Sequence, residues 1–88
     1  VSPQAKPVRL TRHAREQCGE RGATEEEVVQ AVQHGTREPA KRGRWLYRYN
    51  VAFGGMWAGN FYAVKQVAPV VAEEPDEIVV VTVYTFYF

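Results

Sequence analysis

The chain predicts a segregated α+β domain: two short N-terminal helices packed on one face of a three- to four-stranded antiparallel sheet. Two observations carry this expectation. Apolar residues recur with helical spacing up to Gly35 and alternate from Gly43 onward. The order is helix, helix, strand, strand, strand, without internal repeats, which segregates the helices from the sheet. A third observation concerns association. The final stretch, Ile78 to Phe88, is apolar or aromatic on both faces, whereas an antiparallel strand with one wet face alternates apolar and polar residues. In a chain of 88 residues, something must cover that second face: a partner subunit, a partner protein or a binding site.

Residues 1–9 contain two prolines and no periodicity and predict a flexible arm, ending in an extended Val8-Arg9-Leu10, before a single domain over 10–88. Thr11 is the N-cap of a first helix that Gly22 ends, with Ala14, Cys18 and Arg21 on one stripe and Leu10 just upstream. Thr24-Glu-Glu-Glu27 is a capping box, and Val28, Val29, Ala31 and Val32 form the apolar face of a second helix stopped by Gly35. Trp45, Tyr47, Tyr49, Val51 and Phe53 then alternate with Arg44, Leu46, Arg48, Asn50 and Ala52 in a half-buried strand. Gly54-Gly55 predicts a hairpin turn, and Met56 to Asn60 a short strand, wide loop or bulge. Phe61 to Ala72 is the next strand, in which Pro69 marks an edge or a bulge. After an acidic turn comes the last strand, with Val79, Val81, Val83, Thr85 and Tyr87 expected toward the helices.

A net charge of +1 gives no overall nucleic-acid signature, but Arg37, Lys41, Arg42, Arg44 and Arg48 form a local basic block against the single acid Glu38. The lone Cys18 excludes an internal disulfide and fits a reducing cytoplasm; on the core stripe it reads as a small buried hydrophobe. No apolar run approaches the roughly 20 residues of a membrane span, and the N-terminal segment is too polar for a signal peptide. No metal-ligand spacing and no phosphate loop is legible, so no metal and no cofactor is expected.

His13 reads either as a general acid or base or as an exposed helix histidine, and His34 as a favourable charge at a helix C-terminus. Strand parity supplies the main constellation. With Trp45 and Tyr47 toward the helices, Arg44 and Arg48 point to the opposite face, together with Thr82 and Tyr84 and, if its parity holds, Lys65. Guanidinium forks, a hydroxyl, a phenol and an ammonium suit RNA phosphate and stacked bases. The competing reading of Arg44 and Arg48 is the solvated face of a half-buried strand.

Leu10-Thr-Arg-His-Ala-Arg15, then Arg21-Gly-Ala-Thr-Glu-Glu-Glu-Val28, and finally Val81-Thr-Val-Tyr84 resemble, in order and spacing, domain-of-unknown-function family 4258. That family looks related to the barnase, EndoU, colicin and RelE-like group of small RNA-cleaving toxins. The resemblance implies a metal-independent ribonuclease or a descendant of one, with His13 and Arg21 matching the first-helix motif and Thr82 and Tyr84 the final strand. Arg44 matches in charge alone.

Two functions follow as expectations. In the first, an RNA-cleaving or RNA-binding domain of toxin type, with an antitoxin or other protein as partner, uses His13 or Tyr84 for proton transfer and Arg21, Arg44 and Arg48 to stabilise phosphorane charge. In the second, a non-catalytic homodimer or adaptor buries the aromatic last strand against a partner.

Overall fold

The computed structural model describes residues 6–88, so most of the expected arm, residues 1–5, lies outside the described residues. Lys6 is already tied to the domain through Glu73, and the Pro7 carbonyl accepts from the Ile78 amide at 2.9 Å. The elements are β1 (Val8–Leu10), α1 (Arg12–Arg21), α2 (Glu25–His34), β2 (Thr36–Pro39), a 3₁₀ turn (Lys41–Gly43), β3 (Trp45–Trp57), β4 (Asn60–Glu73) and β5 (Ile78–Tyr87). They build the expected α+β fold, but the sheet has five strands in the order β1-β5-β4-β3-β2 and is mixed, because β1 runs parallel to β5. The two added strands are β1, only three residues long, and β2, whose Thr-Arg-Glu-Pro is exposed throughout. β1 is the expected extended Val8-Arg9-Leu10, whose single alternation is too short to announce a place in the sheet, and β2 carries no alternating apolar signal.

Both helices form where their caps dictate. The Thr11 hydroxyl accepts from the Ala14 amide, and Thr24 and Glu27 close a reciprocal capping box. Gly22 ends α1 in the left-handed region at φ 76°, where a Cβ would stand 2.6 Å from the Tyr87 hydroxyl and 2.7 Å from the Trp57 ring. The helices bury Ala14, Cys18, Val28, Ala31 and Val32 against Tyr47, Val67, Val71, Ile78, Val80 and Val83. Each fully buried valine or isoleucine there contributes about 1.5–3 kcal/mol.

Two irregularities reset the expected parities. The β3–β4 hairpin does not turn at Gly54-Gly55. A register shift between Ala52 and Gly55 absorbs those glycines as a bulge, and the turn falls at Ala58-Gly59, φ 52° and 86°. Two successive positive-φ residues are what a tight hairpin with right-handed strand twist requires. On β5, Val71 pairs Val80 while Val70 pairs Thr82, which leaves Val81 as the extra residue of a bulge. Ile78 and Val80 therefore share the helix side with Val83, Thr85 and Tyr87, and Val81 is only half-buried rather than core. Pro69 lies in the central strand β4, opposite Val83 and beside this bulge, where the β3–β4 ladder skips a step.

β1 covers only Ile78–Val80 of β5, and beyond it α1 covers the edge at Val83. The Val83 amide donates to Gln17 Oε1 at 2.8 Å, and Arg21 Nη1 donates to the Val83 carbonyl at 2.7 Å. Two side chains thus satisfy a strand edge that would otherwise invite pairing.

Candidate nucleic-acid interface

The sheet face turned away from the helices carries a groove of about 440 Å³. Leu46, Val70 and Thr82 stand side by side in its floor, as the registers Leu46↔Val70 and Val70↔Thr82 require. Tyr84 lines it one step along β5, and Lys41, Arg42 and Arg44 line it from the β2–β3 connection. That connection is tight: the Ala40 amide donates to the Arg44 carbonyl at 2.8 Å, and Arg42 is held at φ 64°, ψ 32°. A left-handed arginine costs about 1–2 kcal/mol, so the loop keeps its shape against a local preference.

The distribution of charge singles this groove out. The chain has eleven lysines and arginines. Lys6, Arg9, Arg12, Arg15, Arg37, Arg48 and Lys65 each pair with a carboxylate, and Arg21 is held by the Val83 carbonyl. Among the described residues, the side chains of Lys41, Arg42 and Arg44 have no such partner, and all three line the same groove. Exposed ion pairs add little stability, but they do neutralise field locally. Unbalanced positive potential therefore concentrates here.

The expected site residues divide. Arg44, Thr82 and Tyr84 meet in the groove. Arg48 lies beside it on the same sheet face, donating to Gln66 at 3.0 Å and to Glu38 at 3.3 Å, so its charge is partly balanced. Arg21 approaches from α1, its guanidinium 5.3 Å from the Tyr84 ring centre. His13 is exposed near the start of α1, one turn before Gln17, and does not line the groove.

Lys65 does not join Arg44, Thr82 and Tyr84, contrary to the expected parity. It lies on the helix side, 6% exposed, donating to the Gly22 carbonyl at 2.8 Å and pairing with Glu27 at 2.8 Å. Lys65 faces Val51 across the ladder, and Val51 belongs to the helix-facing set; the bulge at Gly54-Gly55 hid that register. In the sequence Lys41 and Arg42 are visible only as part of the basic block, since Pro39 and Gly43 punctuate the segment but no alternating strand before it shows that the chain folds back there. Cys18 is buried, and burial, reinforced by the charges of Glu25 and Glu27, pushes its thiol pKa up, away from reactivity.

Among the described residues no helix is long and apolar enough to cross a membrane. A family model described as a domain of unknown function, DUF4258, matches residues 10–85. No curated protein and no solved structure matches the chain significantly.

Proposed function

The chain belongs to the DUF4258 family, and we propose that it binds RNA, with the phosphate backbone lodged in the groove of Lys41, Arg42 and Arg44. The observation that carries this reading is the gathering of the three unpartnered cations around one groove, beside the hydroxyls of Thr82 and Tyr84. Cations and hydroxyl donors at one site are the chemistry of phosphate recognition. Kinship with the RelE, barnase, EndoU and colicin-like ribonucleases belongs to the same proposal, supported by helices followed by antiparallel strands and by the motif positions of His13, Arg21, Thr82 and Tyr84. So do a toxin role and an antitoxin partner, which rest on that kinship alone. Binding has the stronger geometric support. A cleavage centre would need His13 to reach an RNA held at Tyr84, and His13 stands outside the groove lining.

The test is fluorescence anisotropy with a mixed single-stranded RNA pool, at low salt and in EDTA. Wild-type protein binds, and Arg44→Ala weakens binding about tenfold or more, the scale of one charge-assisted hydrogen bond. Absence of binding overturns the reading. RNA fragments that His13→Ala or Tyr84→Phe reduces by about 10²-fold would extend it to catalysis.

A second reading, a homodimeric interaction module, draws on the exposed Met56, Phe61, Phe86 and Phe88. Sedimentation at high protein concentration tests it: a clean monomer removes it.

A further inference from the structure

Tyr84, Phe86 and Phe88 form an aromatic row along β5 on the groove side of the sheet. Tyr84 lines the groove, Phe86 pairs with Gln66 beside Arg48, and Phe88 follows by strand alternation. The three side chains are 44%, 45% and 57% exposed, an unusual state for consecutive large apolar groups on one strand face. Resting on the RNA reading above, we infer that this row is a base-stacking platform that selects single-stranded RNA, each ring receiving one unpaired base.

Three features argue for bases rather than a second protein surface. Alternate residues of a strand repeat every 6.8 Å or so, a spacing that an extended single strand can match with successive bases. The row is also bordered by cations: the Arg21 guanidinium lies 5.3 Å from the Tyr84 centroid, and that of Arg48 lies 5.8 Å from Phe86. An apolar patch made for a second copy of this chain would bring those like charges together across the interface, whereas a polyanion meets them with opposite charge. Finally, the row runs into the groove through Tyr84, so one strand of RNA can lie along both, phosphates on Lys41, Arg42 and Arg44 and bases on the rings. Duplex RNA keeps its bases stacked inside and cannot use the platform.

The experiment compares three fluorescein-labelled probes of equal phosphate count: a short oligouridine, the same length of abasic ribose-phosphate, and a duplex. Wild-type protein prefers oligouridine over both others by about fivefold or more, since a stacked base is worth roughly 1–3 kcal/mol. Phe86→Ala/Phe88→Ala removes most of that preference and leaves the abasic affinity unchanged, and Phe86→Trp keeps it with indole fluorescence quenched on binding. Circular dichroism melts of each variant separate loss of stacking from loss of fold. Equal binding of oligouridine and abasic probe, or a preference undiminished in Phe86→Ala/Phe88→Ala, overturns the platform while the phosphate groove stands. A dimer in sedimentation that Phe86→Ala dissociates, with probe preference unchanged, overturns it in favour of a second copy. No binding of any probe by the wild type defeats the RNA reading and the platform with it.

Discussion

The two faces of the sheet treat polar groups in opposite ways. On the helix side no buried polar side-chain atom of the described residues lacks a partner: Lys65 is matched by Glu27 and the Gly22 carbonyl, Gln17 by the Val83 amide, and Thr85 and Tyr87 by the Arg21 carbonyl at 2.9 and 2.7 Å. On the groove side, three cations are left without partners and an aromatic row is left uncovered. Buried polar groups must be satisfied or folding suffers. Unsatisfied groups on a surface cost little and remain available to a ligand. Substitutions on the first face should therefore act on stability, and those on the second on binding.

Of the substitutions considered, Gly22→Ala should have the largest effect on stability. The new methyl meets Tyr87 and Trp57, whose rings stack with centroids 4.8 Å apart, and the backbone is left-handed. Together these cost about 3 kcal/mol, read as a fall in the denaturant midpoint. An unchanged midpoint would mean that the aromatic cluster yields freely.

Glu27→Gln comes next. Glutamine preserves the bond from the Thr24 amide but removes the charge opposite buried Lys65. Glu27 is partly exposed, so the cost falls below that of a fully buried pair, at about 2 kcal/mol. If Lys65 were free to reach solvent, urea unfolding would show no difference.

The bulge on β5 makes a finer prediction. Val83→Ala should lose about 1–3 kcal/mol, because Val83 is wholly buried, and Val81→Ala less than about 1 kcal/mol. Equal losses would place Val81 in the core and remove the bulge.

Arg42→Gly then separates the faces in a single residue. Relief of its left-handed backbone offsets the added chain entropy of glycine, so stability changes by less than about 0.5 kcal/mol. RNA affinity nonetheless falls. A variant that binds as well as wild type would take Arg42 out of the phosphate site.

These contrasts also explain what the sequence discloses. Caps and periodicity announce α1 and α2 because Thr11, Thr24 and Gly22 act on their immediate neighbours. The alternation of Trp45 to Phe53 likewise announces β3. Bulges are different, since each depends on how two strands pair. The inserted Val81 and the absorbed Gly54-Gly55 shift parity without any local composition signal. Arg44, Thr82 and Tyr84 share one sheet face, as alternation predicts, because they lie on the near side of one bulge or beyond the other. Lys65 departs from alternation, because the bulge at the glycines separates it from the Trp45 to Phe53 pattern. Arg21 carries a signal only through its motif, and its role as cap of the β5 edge is a tertiary fact.

The central claim is that the unpartnered cations of the groove contact phosphate. Its most direct test is the salt dependence of oligouridine affinity. For a single strand the slope of log K against log[salt] is about −0.7 per neutralised phosphate, so three cations predict a wild-type slope near −2. The double variant Lys41→Ala/Arg44→Ala should retain its melting temperature and show a slope near −0.7. A slope that stays near the wild-type value in that variant would show that RNA, if bound, is held elsewhere, and would contradict the account.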